Sequence, residues 1–131
     1  MTGNTLTLAF ACIGERLNSL LDNLSSLSVP NNVNIIVLVQ KPQPDTLAIS
    51  EKTTINVIVL ESIGLSKSRN AAISNAESDY IWFLDDDVQI TNQDITAALG
   101  IINENKADFY RIKIGCIEWH DQTFKKYKSY Y

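Results

Sequence analysis

Three consecutive carboxylates, Asp85, Asp86 and Asp87, close a short apolar and aromatic run, Tyr80-Ile81-Trp82-Phe83-Leu84. Grouped acids repel one another, and an unpaired carboxylate is costly to bury. The chemistry that suits them is oxygen coordination of a divalent cation at an open edge of the fold. Residues i and i+2 of a strand share a face, so extended backbone past Leu84 would let Asp85 and Asp87 act together while Asp86 points elsewhere. The competing reading is a solvated strand-to-loop junction, or an ion pair of the kind that contributes little. A rigid strand beneath the acids favours a site, because a working constellation needs such support.

A second candidate is Gly64-Leu65-Ser66-Lys67-Ser68-Arg69-Asn70. It reads as a loop-to-helix junction, where free backbone N–H groups and the positive end of a helix dipole are available to an anion. Lys67 and Arg69 add two cations. The glycine and lysine spacing of a Walker A loop is absent. The bland alternative is a capped helix with solvent-facing cations.

The elements that must carry these residues follow from periodicity. Thr5 to Ile13 reads as a first strand, broken by Gly14. Glu15 to Leu27 carries leucines at 17, 20, 21, 24 and 27, a helical stripe that faces a sheet. Asn34 to Val39 is a continuous apolar run that reads as a buried second strand and Ile55 to Leu60 reads as a third strand, with a prolyl loop from Gln40 to Asp45 and a short helix over Thr46 to Ser50 between them. Gly64 is free to take a left-handed conformation, and Ser66 is expected to cap a helix to about Ala76 with Ala72, Ile73 and Ala76 inward. Asp79 to Leu84 then reads as a strand buried on both faces. Thr91-Asn92-Gln93-Asp94 fits a capping box opening a helix with Ile95, Leu99 and Ile102 on one face. Phe109 to Ile114 alternates as a half-exposed fifth strand. Strands alternating with helices imply an α/β fold, mostly parallel, with helices on both faces. In such sheets ligands bind beyond the carboxyl ends of the strands, where the three acids fall.

The two candidate stretches together resemble the central signature of family 2 glycosyltransferases of the Rossmann-like GT-A fold. That signature has a G-x-S-x-A/S-R-N helix start, a short helix, a G/S-D-Y strand opening and an F-L-D-x-D strand end, matched in type and spacing over residues 64–90. The match runs more loosely over the β-α-β of residues 5–39. For the matching positions the resemblance implies a D-x-D motif with Asp87, and Asp85 beside it, on Mn2+ or Mg2+. It places Asp85 near the donor ribose and Arg69 near the base or diphosphate, with Lys67 and Asp86 as further donor-binding candidates. The implied partners are a nucleotide-sugar donor and an acceptor that is a glycan, a lipid or a protein.

The chain also departs from the family pattern. Val39-Gln40-Lys41-Pro42 stands where members carry aspartates that contact the base, so Gln40 is left to reach a base edge through its amide. The first strand ends Ala11-Cys12-Ile13-Gly14, without the usual P-x-Y-N. The acceptor half and the catalytic base that follow the D-x-D in members are missing here. After the fifth strand, Glu118 and Asp121 are the only acids, and neither can be assigned as base. The chain therefore reads as a single GT-A-like domain over residues 1–131, a truncated form or the nucleotide-binding half of something longer. A binding module of the same fold without transfer activity is the alternative. A phosphoryl-transfer receiver domain would need an acidic pair after the first strand and an aspartate after the third, and Gly14-Glu15 and Glu61 do not supply them.

At 131 residues, 45% hydrophobic and 20% charged, the composition is that of a globular domain and not of a disordered chain. A net charge of -4 gives no electrostatic reason to expect nucleic acid. Cys12 and Cys116 lack metal-ligand spacing and suit free thiols in a reducing compartment, which points to the cytoplasm. No apolar run has the length of a membrane span. The terminal stretch from Trp119 to Tyr131 interleaves aromatics with lysines, a composition that suits sugar stacking, peripheral association with the inner face of a membrane, or a frayed end. His120, the single histidine, is a weak metal candidate on the family pattern alone.

Overall fold

Parallel pairing of apolar runs needs helical crossovers to return the chain, and this chain supplies them. The computed structural model describes residues 3–104. Strands β1 (Leu6–Ile13), β2 (Val33–Gln40), β3 (Asn56–Val59) and β4 (Tyr80–Asp85) form one sheet in the order β3-β2-β1-β4, every pairing parallel. Helices α1 (Leu17–Leu24), α2 (Thr46–Lys52), α3 (Leu65–Asn75) and α4 (Asn92–Asn103) alternate with them. The chain moves from β1 outward to β3, then crosses back to the other side of β1 to form β4. That reversal is a topological switch point, and it opens a crevice beyond the carboxyl ends of β1 and β4.

The two faces of the sheet are built differently. Leu6, Leu8, Phe10 and Cys12 of β1 join Val37 and Val39 of β2 under Leu17, Leu20 and Leu24 of α1 and Ile95, Ala98 and Ile102 of α4. Ile49 of α2 packs against the same cluster. The opposite face is thin, with Ala9, Ile36 and Leu38 against Ala72 of α3. Right-handed crossovers demand this division, because reversing the direction of travel moves the connecting helix to the other face. Small residues at the α3 contact let that helix lie close to the sheet.

The structure corrects several expectations. Helix α1 is shorter than its leucine stripe, with a 3-10 turn over Gly14–Arg16 before it, and Leu27 is only partly buried. Ser66 does not cap α3: the cap position is Gly64, at φ +145°, and no side chain caps it. The buried residues of α3 are Ser68 and Ala72, whereas Ile73 is 57% exposed. A helix advances about 100° per residue, so a face centred on positions 68 and 72 turns 73 aside. Strand β4 is not buried on both faces. Among the described residues it is an edge strand, as β3 is at the other side, with Leu84 buried and Phe83 40% exposed.

Other expectations hold. Thr91 and Asp94 form the capping box, the Thr91 Oγ1 accepting the Asp94 N–H at 3.2 Å and Asp94 Oδ2 accepting the Thr91 N–H at 2.8 Å. Gly14 is required by packing, since a Cβ there would lie 2.5 Å from the Lys41 carbonyl oxygen. The β1–α1 turn is thereby seated on the loop after β2. The proposed fifth strand at Phe109 to Ile114, together with Cys116, Glu118, His120, Asp121 and the terminal aromatic–lysine stretch, lies outside the described residues. Among the described residues, no helix is long and apolar enough to cross a membrane.

Candidate functional site

Strand β1 delivers Ala11, Cys12 and Ile13 to the carboxyl edge of the sheet, and the parallel register sets Asp85 directly beside Ala11. Extended backbone ends there. The Val88 N–H returns to the Asp85 carbonyl at 3.2 Å, so Asp86 and Asp87 sit in a turn and not on the strand. The outcome resembles the alternation expected of a strand, though a turn produces it. Asp85 and Asp87 are exposed, and Asp86 folds back until its side chain is 8% accessible.

All three acids line one cleft of about 310 Å³, together with Cys12, Ile13, Arg16, Gln40, Leu65 and Ser68. They do not converge: among the described residues no group of three or more His, Cys, Asp or Glu side chains is placed to enclose a metal ion. Two open carboxylates nonetheless suit Mg2+ or Mn2+, which keep waters and take substrate phosphates as ligands instead of demanding a protein cage.

Arg16, which the sequence reading passed over, stands 2.8 Å by its Nε from Asp86 Oδ2. Its N–H is not directed at that oxygen, which is buried and accepts no hydrogen bond. The contact is therefore a charge pairing without an aligned hydrogen. The available signal was position alone, a cation in the turn that leaves β1 at its carboxyl end.

Gln40 ends β2 within the same cleft, but its amide is engaged inside the chain. Nε2 donates to the Gly64 carbonyl at 2.7 Å and to Ser68 Oγ at 2.6 Å, and Oε1 accepts the Gly64 N–H at 3.3 Å. Gln40 thus ties the end of β2 to the first turn of α3 and holds Gly64 in its left-handed conformation. One Oε1 lone pair is left for anything else.

The cations expected at the start of α3 are exposed. Arg69 lies over the ring of Phe83, 5.6 Å from guanidinium carbon to ring centroid, within the range of a cation–π contact. It lines a smaller cavity of about 90 Å³ that shares Asp85, Leu65 and Ser68 with the main cleft. Lys67 lines neither. The first turn of α3, with its unpaired amides and dipole end, faces the same edge of the sheet.

Cys12 closes the floor of the cleft. Its thiol is pushed up to about 12, first by burial, then by the negative charge of Asp86, with Arg16 opposing. It stays protonated near neutral pH and is no nucleophile, since the thiolate is the reactive form.

These features can be set beside known proteins. A family model described as Glycosyl transferase family 2 matches residues 9–130. Comparison with curated protein sequences gives no match. Among solved structures, a mannosyltransferase from Pyrobaculum calidifontis, PcManGT, in complex with GDP-Man and Mn2+, superposes with a TM-score of 0.60 at 13% identity. The superposition covers 97% of this chain and 39% of that one, so the chain spans about two fifths of the length of its structural neighbour. At that identity the likeness speaks for the fold, a Rossmann-like GT-A architecture.

Proposed function

The chain belongs to glycosyl transferase family 2, and from that membership we propose that its cleft binds a nucleotide-diphosphate sugar and a divalent cation for transfer of the sugar to an acceptor. The observation that carries this reading is the pairing of open carboxylates Asp85 and Asp87 with the cationic first turn of α3, across a switch-point crevice. Such crevices are where open parallel sheets take ligands.

In this reading Asp85 and Asp87 hold Mn2+ or Mg2+ together with the diphosphate, as a partly protein-ligated ion would be held. The ion, when bound, supplies a Lewis acid for the charge that develops on the leaving diphosphate. Arg69 and Lys67 add positive potential on the other wall, and the free amides of α3 give the phosphates fixed donors. Phe83 holds Arg69 from beneath, so the guanidinium loses less freedom when it meets an anion. Gln40 acts by fixing the helix start, with its remaining lone pair open to a donor on the base. Asp86 contributes its charge from behind the turn.

A binding module without transfer is favoured by one observation. The only acids lining the described cleft are Asp85, Asp86 and Asp87, which leaves no separate carboxylate there to deprotonate an acceptor. Both readings share the donor site, so ligand binding tests that site and turnover separates the two. Thermal unfolding with Mn2+ and a panel of nucleoside diphosphates is expected to show stabilisation of about 2.7 kcal/mol at a ligand concentration a hundredfold above Kd. No shift with any diphosphate at millimolar concentration overturns the donor site. Turnover of a nucleotide-sugar by this chain eliminates the binding-only reading.

A further inference from the structure

The three acids are not equivalent, and the odd one is tied to a different segment. Asp86 Oδ2 has essentially no accessible surface, so it cannot touch a ligand in this arrangement, whereas Asp85 and Asp87 stand open. Its charge faces Arg16, whose side chain is 58% exposed and which leaves the 3-10 turn after β1. Gly14 fixes the base of that turn against the Lys41–Gln43 backbone. The acidic turn itself is closed by the 3.2 Å bond from the Val88 N–H to the Asp85 carbonyl. A buried, uncompensated carboxylate would drive this turn outward towards water, and the guanidinium opposes that displacement.

We propose that Arg16 and Asp86 form a positioning pair that fixes the acidic turn, so that Asp85 and Asp87 present their oxygens to the metal and diphosphate. The proposal rests on the donor-site reading above. It divides the triple aspartate by role: the outer two carboxylates bind, and the middle one anchors.

Charge and positioning make opposite predictions for one variant. Arg16→Ala removes a positive charge beside the acids, so electrostatics alone would tighten binding of a cation. Loss of an anchor weakens it, because partners that orient metal ligands are worth about 10–100-fold in affinity. The experiment titrates the wild type, Arg16→Ala and Arg16→Lys with Mn2+ alone, reading the unbound ion by electron paramagnetic resonance. Hydrogen exchange of the Val88 amide is followed without metal, and thermal unfolding checks that each variant is folded.

The expected result is Mn2+ binding about tenfold weaker in Arg16→Ala and largely restored in Arg16→Lys, with Val88 exchange faster in the alanine variant. Binding that is unchanged or tighter in Arg16→Ala overturns the proposal. A wild type that binds no Mn2+ alone and that no nucleoside diphosphate with Mn2+ stabilises overturns the donor-site reading and with it the pair's role towards the metal. An unchanged Val88 amide overturns the pair itself, so the two failures are told apart.

Discussion

The two ends of the β1–β4 strand pair carry the same kinds of residue and treat them oppositely. At the amino end, Asp79 accepts the Thr5 N–H at 2.9 Å and the Thr5 hydroxyl at 3.0 Å, and its own N–H reaches Thr5 Oγ1 at 2.9 Å. Next to it Ser78 donates to the Tyr80 carbonyl at 2.7 Å, so its 2.6 Å contact with buried Thr7 is a bond in which Thr7 donates. At the carboxyl end, the ion pair of Arg16 reaches Asp86 alone, without an aligned hydrogen, and Asp85 and Asp87 stand open. A larger cleft, about 430 Å³, lies by the amino end, but among its lining residues Glu77 is the single charged one. Size therefore does not identify the site. Polar groups satisfied by the fold mark the end that holds the strands together, and polar groups left open mark the end that is free to take a ligand.

The sharpest way to break this contrast is at Asp87. Its side chain is exposed and no hydrogen bond or ion pair of the described structure uses it. Asp87→Ala is expected to abolish stabilisation by Mn2+ with a nucleoside diphosphate, a loss of at least about a hundredfold in apparent affinity. Unliganded stability should stay within about 0.5 kcal/mol of wild type, as for a surface change that removes no contact. Denaturant unfolding with and without ligand checks both halves. A variant that binds normally would place the ion elsewhere, and one that unfolds easily would make Asp87 part of the scaffold.

Gln40 sharpens the contrast because it stands at the ligand end yet is engaged like a scaffold residue. Gln40→Ala removes the donor to the buried Ser68 hydroxyl and one of two donors to the Gly64 carbonyl, which keeps the Ser68 N–H. The expected destabilisation is about 1–3 kcal/mol, read from the urea midpoint at constant m-value. Nucleotide affinity should fall as well, since the first turn of α3 is no longer tied to β2. A stability loss without any change in affinity would show that the start of α3 contributes nothing to the ligand.

Much of this arrangement was legible in the residues. Apolar runs located β1, β2 and β3, the Thr91–Asp94 spacing gave the start of α4, and the triple aspartate after Leu84 marked the open edge. What escaped depends on which segments the crossovers bring together. Arg16 and Asp86 leave different strands, and only the adjacency of β1 and β4 makes them neighbours. Gln40 looked available to a ligand because its partner, the backbone of Gly64, has no side chain to announce the contact. Ile73 and Phe83 were placed inward by apolar character, yet an edge strand and a narrow helix contact leave them exposed. Periodicity reports the faces of single elements. It does not report which element is last in the sheet, or which polar groups pair across it.

The smallest expected effect is at the amino end, and it tests the satisfied half of the contrast. Asp79 is held below the usual carboxylate range, first by the backbone N–H of Thr5 and then by its hydroxyl. A carboxylate whose folded pKa is depressed contributes stability that is present above its unfolded pKa and is lost as pH falls through the folded value. Asp79→Asn keeps the shape and removes the charge. Its melting temperature should fall slightly below wild type near neutral pH, with the gap closing as the wild-type carboxyl is protonated, below about pH 4. Metal and nucleotide binding should not change, because Asp79 lies at the opposite end of β4 from the cleft. A gap that persists unchanged into acid would mean that the amide substitution acts through shape and not charge. A change in ligand affinity would mean that the two ends are coupled along β4, and that the division between a holding end and a binding end is not a division at all.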